Sequence, residues 1–95
     1  MTIWAKVFKG DKIIRDTMFS ENYPMTQAGF IKALQEIAYR LDIATPVNLQ
    51  SHFKHFQKFN RIKYLPRDFI EDVDFTSVVL ELVLNKSDKS SDKRI

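Results

Sequence analysis

The chain carries 15 Lys and Arg against 12 Asp and Glu in 95 residues, a formal net charge of +3, and it has no cysteine. Disulfides and thiolate metal sites are thereby excluded, and a chain this short holds one core burying roughly 60–68% of its unfolded surface. Eight Phe, three Tyr and one Trp can build that core without covalent staples, since each ring buries about 150–250 Å².

No run of about 18 apolar residues is present to span a bilayer. The start, MTIWAKVFKGD, has neither the apolar length nor the cleavage pattern of a signal peptide. Lack of cysteine leans the same way, and the expectation is a soluble cytoplasmic protein.

Residues 2–19 read as a β-hairpin. TIWAKVF and KIIRDTMF are rich in strand formers and flank Gly10-Asp11, a pair suited to a type II′ turn in which Gly supplies the positive φ. A two-residue loop sets Phe8 opposite Ile13, Val7 opposite Ile14 and Ile3 opposite Met18. It also brings Lys6 against Arg15, a like-charge pair that costs stability. A three-residue loop would match Lys6 with Asp16, at the expense of a less natural place for Gly10. The two-residue register predicts Ile3, Val7, Ile14 and Met18 as the core side. It leaves Trp4 and Phe8 on the opposite face.

Residues 20–25 connect, and Thr26 is placed to cap a helix over residues 26–42. Phe30, Leu34, Ile37 and Leu41 recur at offsets of four, three and four, one face of a helix, with Ala33 and Ala38 widening the stripe. Gly29 in the first turn costs about 1 kcal/mol relative to Ala. Close approach of another backbone would account for it, and so would simple tolerance near a helix end. Thr45-Pro46 is a restart signal, and a second helix is predicted over 46–59 with Leu49, Phe53, Phe56 and Phe59 as its stripe.

The pattern weakens over 60–74. Ile62-Lys63-Tyr64 alternates as a short strand would, Pro66 ends it, and one helical turn is possible over 66–72. Residues 75–84, FTSVVLELVL, form the least ambiguous strand. Val78, Leu80, Leu82 and Leu84 line one side, while Ser77, Val79, Glu81 and Val83 line the other. Apolar residues on both sides mark an inner strand or one whose second face is partly covered. Residues 1–85 are thus expected to form a single α+β domain: an N-terminal β-hairpin, two α-helices and a C-terminal β-strand, with a small antiparallel or mixed sheet and the helices on one face. Residues 86–95, almost without apolar side chains, are expected to be a disordered polar tail.

Charge is segregated along the chain. Between Ile43 and Leu65 there is no acidic residue, and Lys54, Lys58, Arg61 and Lys63 lie among aromatics in a basic segment spanning 52–67. Cations displace counterions from phosphates and bare rings stack on bases, so this segment is the candidate nucleic-acid contact. The competing reading puts Phe53 and Phe56 in the core with the lysines wetted, and the helical spacing favours it. His52 and His55, three apart, fall short of the three or four ligands a zinc site takes. Asp68, Glu71, Asp72 and Asp74 lack the spacing of a calcium loop. With Gly10 and Gly29 the only glycines, no phosphate-cradling loop exists. No metal, no cofactor and no catalytic set is expected, and the chain is read as a non-enzyme. The leading expectation is a protein-interaction module, self-associating as a homodimer or docking a partner, through Trp4, Phe8, Val79 and Val83 on the sheet face away from the helices.

Overall fold

A computed structural model describes residues 1–47 and 50–84. The predicted tail over 86–95 and Leu49 of the predicted stripe lie outside these residues. The elements are β1 (Thr2–Lys9), β2 (Lys12–Ser20), α1 (Gln27–Leu41), α2 (Gln50–Phe59), β3 (Arg61–Tyr64), a 3₁₀ turn (Pro66–Asp68) and β4 (Ser77–Leu82). The four strands form one antiparallel sheet in the order β2-β1-β4-β3, so β4 is an inner strand as its two apolar sides demand. Both helices pack on one face, where Phe30, Leu34, Phe53 and Phe56 join Ile3, Val7, Ile62, Val78 and Leu80 in a single core. This is the α+β architecture the hydrophobic pattern predicts.

The hairpin departs from its expected register in an instructive way. The two-residue loop is present: Lys9 pairs with Lys12 and Phe8 with Ile13, and Gly10 has φ +64°. A β-bulge then follows between Val7 and Phe8, and from there Val7 faces Arg15, Lys6 faces Asp16, Trp4 faces Met18 and Ile3 faces Phe19. Ile14 is the extra residue. Because side chains alternate with period two, a one-residue shift exchanges the faces of β2. Ile14 and Met18, expected in the core, are exposed, and Phe19 is fully buried in their place. The shift also replaces the unfavourable Lys6–Arg15 pairing with Lys6 opposite Asp16.

Arg15 thereby reaches the helix side, where its Nη1 donates to the Leu41 and Asp42 carbonyls at 2.9 and 3.3 Å. Those carbonyls close α1. Asp42 adopts the left-handed conformation, its N–H bonding Tyr39 O, while the Ile43 N–H bonds Ala38 O. This is a Schellman ending, and the guanidinium complements the negative end of the helix dipole.

At the other end Thr26 caps as predicted, its Oγ1 accepting from the Gly29 N–H at 3.1 Å. A Cβ added at Gly29 would strike the Pro24 carbonyl oxygen, so the close backbone approach inferred from the glycine is present. α2 begins at Gln50 rather than Pro46. The Val47 N–H is engaged by the Asp68 carbonyl at 2.7 Å, which ties the segment to the 3₁₀ turn. Substitution Gly29→Ala is expected to destabilise the fold by about 1–3 kcal/mol, outweighing a helix-propensity gain of about 1 kcal/mol. Urea denaturation measures it, and an unchanged midpoint would mean that the Pro24 segment yields without cost.

Candidate interaction surfaces

The helix-free face of the sheet is built from the residues that alternate with the core set. From β1 it takes Trp4, Lys6 and Phe8, facing Glu81, Val79 and Ser77 of β4. Arg61 and Lys63 extend it across β3, opposite Glu81 and Val79. Trp4, Phe8 and Val79 therefore share the side on which the sequence placed them. Val83 lies just beyond β4, its N–H donating to Thr2 O at 2.9 Å.

These side chains are not a bare apolar sheet. Trp4 Nε1 donates to Asp16 Oδ2 at 3.0 Å, and Lys6 Nζ lies 4.0 Å from the Trp4 ring centre while donating to Glu81 Oε1 at 2.9 Å. Val79, between the cross-strand neighbours Lys6 and Lys63, is only 5% exposed. Long cationic side chains cover apolar surface with their stems while their heads stay wet. The Lys6 hydrogen bond and charge hold the Glu81 carboxyl below its ordinary value, with Arg61 adding to the effect and burial opposing it. A depressed carboxyl stabilises the fold above its unfolded value, and this contribution disappears as pH falls through the folded one. The pair is partly exposed, so its worth is at most about 1 kcal/mol.

The apolar surface left open lies farther out, on β2. Ile13, Ile14 and Met18 are 47, 40 and 54% exposed. A plain ladder would not present this patch, since the bulge is what turns Met18 outward beside Trp4. The cue present in the sequence was the like-charge Lys6–Arg15 pairing that a plain ladder would have imposed.

The basic segment separates into parts. Phe53 and Phe56 are buried against Phe30, with ring centres 5.7 and 4.8 Å away, so neither is available to a base. Phe59 does not continue the stripe. It is 55% exposed and flanked by His55 at 4.6 Å and Lys58 at 5.4 Å. Lys54 and Lys58 belong to α2, whereas Arg61 and Lys63 are carried to the sheet by the Asn60 residue at φ 60° that turns the chain into β3. His52 has its Nε2 4.0 Å from Asp68 Oδ1 and its ring edge-on to Tyr64 at 5.2 Å. Of the acidic run, only Asp68 stays near the basic helix. Glu71, Asp72 and Asp74 line a cleft of about 260 Å³ with Arg15 and Asp42 at the far end of α1. Among the described residues no group of three or more His, Asp or Glu is arranged to hold a metal ion. No described helix is long and apolar enough to cross a membrane.

No protein-family model, curated protein or solved structure matches this chain. The class is therefore defined by architecture alone: a small α+β domain with two helices on one side of a four-stranded antiparallel sheet.

Burial, and secondarily the charge of Asp68, pushes the Tyr64 hydroxyl above the ordinary phenol range. A raised value gives stability that is complete below the unfolded phenol pKa of about 10 and is lost as pH rises through the folded value. Tyr64→Phe is expected to flatten this alkaline loss while staying within about 1.5 kcal/mol of the parent at neutral pH. Denaturant midpoints at neutral and alkaline pH check it, and parallel declines in both proteins would place the alkaline transition elsewhere.

Proposed function

We propose that the chain is a non-enzymatic protein-interaction module of the cytoplasm that pairs with a second copy of itself through the β2 side of the helix-free sheet face. One observation carries this reading: Ile13, Ile14 and Met18 are each at least 40% exposed along one strand, beside Trp4 and Phe8. Exposed apolar clusters of this kind mark interaction sites. Self-pairing is favoured because the cation at the centre of this face, Lys6, is already paired with Glu81, and Asp16 Oδ2 accepts from the Trp4 indole. A two-fold interface brings identical patches together, and the Lys6–Glu81 pair lowers the like-charge repulsion that two copies of this face would meet.

A nucleic-acid role for Lys54, Lys58, Arg61 and Lys63 ranks below this, since Phe53 and Phe56 are committed to the core and Phe59 alone of the α2 phenylalanines among the described residues is exposed for stacking beside the cations. Light scattering across a dilution series tests the proposal. The expected result is a dimer that dissociates on dilution, and a strict monomer with Ile13→Lys and Met18→Lys combined, its far-ultraviolet circular dichroism unchanged. A parent chain that stays monomeric at the highest attainable concentration would remove the reading.

A further inference from the structure

We infer that the free edge of β3 and the adjoining flank of α2 form a docking groove for an extended peptide of alternating acidic and apolar residues, taken up as an additional strand of the sheet. β3 is bonded on one side only, to β4. The Leu82 N–H donates to Asn60 O at 2.7 Å, which makes those two a hydrogen-bonded pair of the ladder. In an antiparallel ladder such pairs recur at every second residue. Ile62 and Tyr64 are thus the β3 residues bonded to β4, and Arg61 and Lys63 direct their N–H and C=O groups outward. Among the described residues no other backbone group bonds to them. The opposite edge is guarded differently: Arg40 of α1 donates to the Met18 carbonyl on β2 at 3.3 Å.

Beside the β3 edge run two contiguous clefts, about 350 and 420 Å³, that share His55, Ile62 and Lys63. Phe59 and Arg61 close one end and Ser51 and His52 the other, and no carboxylate lines either cleft. An added strand would present alternate side chains to the two faces of the sheet. Those facing outward would meet Arg61 and Lys63, neither of which has an ion pair among the described residues. Those facing the helix would enter the groove beside Ile62 and the half-bare Phe59 ring. The first set calls for carboxylates and the second for apolar groups.

Charge decides the occupant. A second β3 would set Arg61 and Lys63 against like charges, which opposes edge-to-edge pairing of copies. Residues 85–95, NKSDKSSDKRI, carry more cations than carboxylates and are unsuited as well. What remains is an acidic segment of another protein, bound by strand addition.

Fluorescence anisotropy with a labelled peptide alternating Glu and Leu tests this on the intact chain. Saturable micromolar binding is expected, lost when Lys replaces Glu in the peptide. It should weaken at least tenfold in the Arg61→Glu, Lys63→Glu variant and stay unchanged in the Ile13→Lys, Met18→Lys variant. N-methylation of one alternating set of peptide amides should abolish binding while methylation of the other set spares it, a readout that needs no protein variant. Absence of saturable binding, or equal tolerance of both methylated sets, would overturn the inference. So would an oligonucleotide of matched charge that binds as tightly as the peptide, since the groove would then be reading phosphate.

Discussion

One extra residue in β2 governs how the rest of this molecule is distributed. The bulge at Ile14 sends Phe19 inward and Met18 outward, and it delivers Arg15 to the end of α1. A ladder without it would have buried Met18 and left the last carbonyls of α1 without the guanidinium. It would also have faced Lys6 with another cation. The bulge therefore links three things that are separate in the sequence: the sheet's inner packing, the termination of the long helix and the composition of the outer face. The outer face inherits both its internally neutral centre, around Trp4, Lys6 and Glu81, and its bare margin on β2.

The two helices are joined by rings rather than by charges. Phe30 meets Phe53 and Phe56, and the Gly29 backbone lies so close to Pro24 that only hydrogen fits between them. Aromatic rings contribute most when they bury area and meet tilted or edge-on. Committing these rings to the core has a functional consequence. Phe53 and Phe56 are withdrawn from the lysines of α2, and the exposed ring that survives, Phe59, stands beside Lys58 at the groove next to β3.

The polar residues divide the surface in the same spirit. Glu71, Asp72 and Asp74 gather near Arg15, while Arg61 and Lys63 occupy the opposite sheet edge, far along the order β2-β1-β4-β3. The two sheet edges are consequently unlike. β2 is long, bears the exposed Ile13, Ile14 and Met18 and is partly plugged by Arg40, whereas β3 is short, cationic and open. An edge's length and charge determine what it can pair with, so a single small domain presents two surfaces with different preferences.

Much of this was legible in the residues. Periodicity identified α1, the inner strand β4 and the inward aromatics of α2, because burial imposes a repeat that local pattern records. Gly10 announced a turn through its positive φ, and Gly29 a close approach where a side chain has no room. The bulge was hinted at only by the like-charge Lys6–Arg15 pairing of a plain ladder, because register belongs to two strands together and local pattern within one strand does not record it. A remote contact likewise fixes the segment before α2, where the Val47 N–H donates to the distant Asp68 carbonyl. Local chemistry thus determined which segments are helix or strand and which side chains seek the interior. Register, edge and the company each exposed charge keeps were decided only when remote backbones met, because a hydrogen-bond ladder is a property of two strands and not of one.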